Sequence, residues 1–177
     1  MSDYQLIVIG AGPGGYTAAL RAAKLGLNTA VVENREAGGT CLNRGCVPTK
    51  ALLHASELYH EAGSKGAVMG IHAQPTYDLN EMFAYKAKVC AQLSSGIASL
   101  FKTAKVTLLR GKGQVTAPGT VSVTDAEGNV SVATADHILI ATGSVPARPP
   151  IPGLDLPGVM TSDELLQGTD TLYEYLV

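Results

Sequence analysis

The stretch LIVIGAGPGGYTAAL at 6–20 limits what this chain can fold into more than any other, because it sets an apolar run, a glycine-rich turn and a helical pattern end to end. Gly10, Gly12 and Gly15 stand in G-x-G-x-x-G order directly after the apolar run. The first glycine permits a tight turn, the second lets backbone approach an anion, and the third lets a helix pack closely on a strand. Residues 15–26 carry Ala19, Leu20, Ala22, Ala23 and Leu25 and finish at Gly26, a helix stop. A second strand-like run, NTAVVEN at 28–34, completes a β-α-β unit, with Glu33 placed to accept from a ribose hydroxyl. The helix would aim its positive N-terminus at a pyrophosphate. FAD and NAD both present one, so the turn alone does not choose between them.

The cysteines bear on that choice. Cys41 and Cys46 lie in GGTCLNRGCVPTK at 38–50, shortly after the acidic strand end. A disulfide needs α-carbons roughly 4.4–6.8 Å apart, whereas residues five apart in a regular helix are separated by about 7.5 Å of rise. The pair is therefore expected at a helix start or a distorted turn, which Gly38, Gly39 and Gly45 would permit. So short a loop adds little stability through chain entropy, and chemistry is the better reading. MSDYQ has no basic segment or cleavage site, and Asp3 argues against a transit peptide, so a reducing, cytoplasmic setting is expected. There a close cysteine pair is more often redox-active or metal-binding than structural. Metal binding is the weaker option, because Cys90 is the one remaining cysteine and the four histidines show no ligand spacing. His72 and His137 are read as structural, and His54 and His60 as surface or packing residues.

The rest of the chain fits a folded domain. It has 177 residues, 46% hydrophobic, with a net charge of −2, and a mean hydropathy of +0.16. No basic stripe suggests nucleic acid, and no apolar run approaches the ~18 residues of a membrane span. Residues 50–63 read as a helix, with Pro48 restricting Val47 to extended or turn geometry. Residues 77–104 read as a long helix capped by Asp78 and Glu81. Leu79, Met82, Phe83, Val89, Cys90, Leu93, Ile97, Leu100 and Phe101 would form its buried stripe, with Cys90 a small core hydrophobe. The segments VTLLRG, TVSVTD and NVSVAT within 105–135 predict a small antiparallel layer, and HILIATG a return strand in the parallel sheet. The expected fold is α/β: a three-layer Rossmann-like nucleotide-binding domain with a helical excursion at 50–104 and a small antiparallel β layer.

GGTCLNRGCVPTK resembles the active-site signature of the FAD-dependent disulfide oxidoreductases, a family that includes dihydrolipoamide dehydrogenase, glutathione reductase and mercuric reductase. KALLHASE at 50–57 is most similar to the dihydrolipoamide dehydrogenase branch, and RGKGQVT at 110–116 and HILIATGSVPARPPIPG at 137–153 agree. The resemblance implies that Gly10, Gly12 and Gly15 hold the FAD pyrophosphate and that Glu33 accepts from the adenosine ribose. It places Gly39, Thr40 and Cys41 along the phosphate and flavin side, Gly113 at the adenine, Thr142 and Gly143 along the cofactor, and Lys50 near the flavin N5. It implies that Cys41 exchanges with the substrate dithiol while Cys46 faces the flavin. Arg44 departs from the commoner apolar residue at its position and is read as solvent-facing.

The resemblance also implies a longer parent. Residues 1–146 would be the first segment of a discontinuous FAD domain, and 147–177 a connector and the start of an NAD-binding domain, with LYEYLV at 172–177 opening its first strand. The implied parent is a homodimer that oxidises the dihydrolipoyl group of a 2-oxo acid dehydrogenase or glycine cleavage complex with NAD. This chain alone is expected to be inactive and to hold FAD weakly. Two alternatives stand beside that reading: a stand-alone nucleotide-binding dithiol module, and a piece of a glutathione or mercuric reductase-type enzyme.

Overall fold

The computed structural model describes residues 1–168; the strand expected at 172–177 lies outside them. Among the described residues two compact units are present, one of residues 1–43 and 92–144, the other of residues 44–91 and 145–168.

The first unit is built on a sheet in the order β3-β2-β1-β6-β5-β4. Strand β1 (Tyr4–Ile9) leads through the glycine turn into helix α1 (Pro13–Lys24) and then β2 (Thr29–Glu33). β1 pairs in parallel with β2 on one side and with β6 (Val130–Ile140) on the other, and β2 pairs in parallel with β3 (Thr107–Arg110). The short runs LIVI and TAVVE are apolar without alternation because both sheet faces are covered. On one face Ile7, Ile9, Ala30 and Val32 pack with Val121, Val123, Ala133 and Ala135. On the other, Val8 and Val31 pack with Ala19 of α1 and with Ile97, Phe101 and Val106. Phe101, 1% exposed, contributes about 1.5–3 kcal/mol by its burial. Helices, parallel sheet and β layer make the three layers expected.

Two details of the β layer differ from the sequence reading. VTLLRG belongs to the parallel sheet as β3, and NVSVAT and HILI are one strand, β6. The first half of β6 pairs antiparallel with β5 (Thr120–Thr124), and β5 with β4 (Lys112–Ala117). The second half pairs parallel with β1. Asp3 pins the change of partner: its carboxylate accepts from Thr134 N at 2.9 Å and Thr134 Oγ1 at 2.8 Å. Those bonds, the backbone one foremost, hold the Asp3 carboxyl below its usual range.

Helix α4 (Leu79–Thr103) runs through the end of the second unit and into the first. Asp78 Oδ1 accepts from Asn80 N and Glu81 N at 2.8 and 3.2 Å, as its capping role requires. The buried stripe is narrower than expected. Lys86, Cys90, Ile97 and Phe101 are buried, whereas Leu93 and Leu100 are 45% and 51% exposed. Four-, seven- and four-residue steps keep the buried residues on one helical face, and Leu93 and Leu100 lie along its edge.

In the second unit, helix α3 (Cys46–Gly63) is followed by a 3-10 turn (Lys65–Met69), and a short helix α5 (Ser162–Gln167) follows the connector. Lys86 Nζ donates to Leu166 O at 2.6 Å, capping α5, and lies 4.8 Å from the Phe83 ring centroid. Burial pulls the Lys86 ammonium below its ordinary pKa and pushes the Cys90 thiol up. His54, His60, His72 and His137 are all exposed, which makes His54 and His60 surface residues and leaves His72 and His137 without the structural role expected of them. Among the described residues no helix is long and apolar enough to cross a membrane, and no three His, Cys, Asp or Glu side chains converge as metal ligands.

Candidate functional site

The three glycines of the turn do different work. Gly10 has φ +106°, and a Cβ there would overlap the Ala141 carbonyl oxygen and lie 3.2 Å from Thr142 Cα. A Cβ on Gly15 would overlap the Gly10 carbonyl oxygen and lie 2.9 Å from its carbon. The fold itself therefore demands glycine at 10 and 15. Gly12 is another case: its backbone is ordinary (φ −71°, ψ −178°), and the nearest atom to a built Cβ is Gly39 Cα at 3.8 Å. Space is open over Gly12, at the N-cap of α1. No side chain caps that helix end and no acidic residue occupies its first turn. Its N–H groups and positive dipole end suit an anion lying over Gly12, and the residues present fit a diphosphate such as FAD or NAD carries.

Glu33 closes the turn from the β2 side. It is buried; Oε2 accepts from Ala11 N and Oε1 from Arg35 N, both at 2.8 Å. A carboxylate has about four acceptor positions, so both oxygens retain capacity for a hydroxyl donor. Arg110, paired in register with Glu33, donates from Nη1 to Arg35 O at 2.8 Å and fixes the loop beyond it.

The dithiol segment starts on this framework. Gly38 N donates to Ala11 O at 2.8 Å. Gly38 and Gly39 both take left-handed φ, +104° and +59°, and a Cβ on Gly39 would lie 2.6 Å from Gly12 Cα. Only glycine permits that approach of two backbones. Asn43 Nδ2 then donates to Ala37 O at 3.1 Å and Gly39 O at 3.0 Å, and Ser94 Oγ donates to Ala37 O at 2.9 Å. The sequence reading assigned no role to Asn43 or Ser94, since neither carries chemistry by its type.

Cys41 and Cys46 are disulfide-bonded, and Cys90 is free and buried. Cys41 lies on the short helix α2 (Gly39–Arg44), which breaks at Gly45 (φ −149°, ψ −106°) before α3 starts at Cys46. The break is what lets residues five apart be bridged. Val47 is helical, against expectation, and α3 begins four residues before 50. Pro48 stands in the first turn, where its missing N–H would have had no intrahelical partner. Cys41 is half-buried and Cys46 exposed, so exposure alone does not single out Cys41 as the exchanging sulfur. Thr40 and Lys50 are exposed, and Arg44 is half-buried rather than fully solvent-facing.

The remaining candidates fall around the same sheet end. A Cβ on Gly113 would lie 3.0 Å from both Ile9 Cγ2 and Val32 Cγ1, so a side chain there would have to displace those two core methyls. Thr142 and Gly143 follow β6 beside the turn and are exposed. Gly10, Gly12, Gly15, Glu33, Gly39 and Thr142 thus converge at the carboxyl ends of β1, β2 and β6, the position where open α/β sheets bind ligands.

Known proteins are similar to this chain in sequence and fold. Dihydrolipoyl dehydrogenase 3 of Pseudomonas aeruginosa is 50% identical over 156 residues, covering 87% of this chain and 33% of that protein. The mitochondrial dihydrolipoyl dehydrogenase of Pisum sativum is 48% identical over 144 residues, 80% of this chain and 29% of that protein. The chain spans about a third of the length of these curated relatives. Among solved structures, the Cu(II) complex of the HOCl-induced flavoprotein disulfide reductase RclA from Escherichia coli superimposes with a TM-score of 0.78 at 28% identity, over 94% of this chain and 34% of that one. The family model described as pyridine nucleotide-disulphide oxidoreductase matches residues 4–175, and this chain belongs to that family.

Proposed function

We propose that the chain is the FAD-binding and redox-disulfide portion of a dihydrolipoamide dehydrogenase. The whole enzyme, a homodimer, oxidises dihydrolipoyl groups of 2-oxo acid dehydrogenase or glycine cleavage complexes with NAD. The observation that carries this reading is Gly12, whose missing side chain serves no need of the fold and leaves room for a diphosphate, on the same framework as the Cys41–Cys46 disulfide.

Gly10, Gly12, Gly15 and the N-terminus of α1 hold the diphosphate, Glu33 the ribose, and Gly39, Thr40, Thr142, Gly143, Lys50 and Gly113 complete the cofactor contacts. A substrate thiolate attacks Cys41 Sγ, breaking the Cys41–Cys46 bond and leaving a mixed disulfide with Cys46 as the departing thiolate. The second substrate thiol then displaces Cys41, so that the lipoyl disulfide leaves and the two enzyme sulfurs hold its two electrons. A general base near the exchange sulfur accelerates such transfers by typically ~10²–10⁴. When bound, FAD supplies the two-electron acceptor for the reduced pair.

Titration of the chain with FAD, followed by flavin fluorescence and competed with ADP, tests the reading. Micromolar binding that ADP displaces is expected, since fewer contacts leave less surplus over the entropy of association. Absence of saturable binding overturns it.

A further inference from the structure

Hydrogen bonds linked through short stretches of backbone join Glu33 to the segment between the two cysteines. Glu33 Oε2 accepts from Ala11 N, and Ala11 O accepts from Gly38 N, each at 2.8 Å. Gly39 O and Ala37 O both accept from Asn43 Nδ2. Two successive left-handed glycines have no side chains with which to hold their own geometry, and the Asn43 amide closes the turn they make. That turn also presses Gly39 against Gly12. Displacing residues 41–43 therefore disturbs the backbone at Gly12, and ordering Gly12 orders residues 41–43.

We propose that Asn43 is a positioning residue that couples nucleotide occupancy of the Gly10–Gly15 turn to the redox state of Cys41–Cys46. The inference rests on reading the turn as a nucleotide site. With the disulfide closed, the chain from 41 to 46 forms a small covalent ring, and Asn43 within it is held where its amide reaches both carbonyls. Reduction by dithiothreitol breaks the S–S bond, adds two electrons and two protons, and converts the reagent to its cyclic disulfide. Asn43 must then be held against greater chain freedom. A diphosphate seated over Gly12 thus favours the oxidised chain, and by linkage it makes the disulfide harder to reduce by the same factor.

ADP is the probe, because it carries the diphosphate and ribose without a flavin. Its affinity is measured calorimetrically on oxidised and dithiothreitol-reduced chain. The thiol–disulfide equilibrium is read by alkylation and mass in dithiothreitol redox buffers, with and without ADP. Wild type should bind ADP roughly 5- to 10-fold more tightly when oxidised, at the lower end of ordinary coupling, and ADP should shift the disulfide equilibrium equally. Asn43→Ala, and Asn43→Asp, which cannot donate to the two carbonyls, should show one affinity in both states. Redox-dependent affinity that persists in both variants overturns the role of Asn43. Equal ADP affinity in oxidised and reduced wild type overturns the coupling, whether or not the variants fold, and leaves the nucleotide site standing. No ADP binding to wild type in either state overturns the site and the coupling together.

Discussion

Replacing Gly12 by alanine separates a glycine kept for a ligand from glycines kept for the fold. In the folded chain the new methyl meets only Gly39 Cα, at 3.8 Å, an ordinary contact. At the N-cap, alanine is worse than glycine by about 0.5–1 kcal/mol. A Gly-to-Ala change at a compatible backbone returns about 0.4–1 kcal/mol by restricting the unfolded chain. The two nearly cancel, so stability should move by less than ~0.5 kcal/mol. The methyl nevertheless occupies the space over the helix N-terminus. Loss of one charge-assisted bond, about 1.5–3 kcal/mol, weakens nucleotide binding roughly 10- to 150-fold. Gly15→Ala has the opposite signature: its methyl overlaps the Gly10 carbonyl, and overpacking against backbone should cost ~3 kcal/mol or more. Urea unfolding followed by circular dichroism gives the stabilities, and ADP calorimetry the affinities. Wild-type affinity in Gly12→Ala, or destabilisation matching Gly15→Ala, would refute the reasoning.

Glu33→Gln turns one of two acceptors toward a backbone N–H as a donor, and Ala11, at 0% exposure, has no water to replace it; urea melts should show a loss of about 2 kcal/mol. Glu164 is held down to about 2, first by the Thr161 hydroxyl and then by the Thr161 backbone N–H. A lowered folded pKa means that its contribution is complete above the ordinary 4.5 and is lost as pH falls through about 2; Glu164→Gln should flatten the acid limb of the α5 unfolding profile in that window. Lys105 ends α4 in the left-handed region at φ +57°, with Val106 N donating to Phe101 O at 2.9 Å; Lys105→Gly should stabilise the chain by about 1 kcal/mol, visible as a higher Tm.

How much of this was readable in the sequence follows from where information sits. The β1-α1-β2 unit was legible because an apolar run, three spaced glycines and a carboxylate each have a local physical reason. Strand β3 was placed in the wrong layer because the pattern VTLLRG reports a strand but not its partner, and a parallel pairing to β2 is set by distant residues. The continuity of β6 was hidden because it changes partner midway, beneath a bond between Asp3 and Thr134 that lie 131 residues apart. Lys86, 7% exposed, sits on a stripe where lysine ordinarily marks the solvent face, and its partner carbonyl belongs to Leu166, far along the chain. Asn43 was passed over for a similar reason: an asparagine between two cysteines reads as turn filler until its amide is seen spanning two carbonyls. The order of Gly10, Gly12 and Gly15 in the motif assigns each a separate role, and the space around each shows which of them the fold itself requires.

In the proposed function the Cys41–Cys46 dithiol and FAD act as one redox unit. Anaerobic mixing of the FAD-loaded chain with dihydrolipoamide, followed by flavin absorbance and then by NAD addition, tests it most directly. Slow single-turnover bleaching of the flavin, abolished in Cys41→Ser and Cys46→Ser and giving no sustained NADH formation, is the predicted result. Flavin reduction that survives both substitutions, or no reduction at saturating FAD and dihydrolipoamide, would contradict the account.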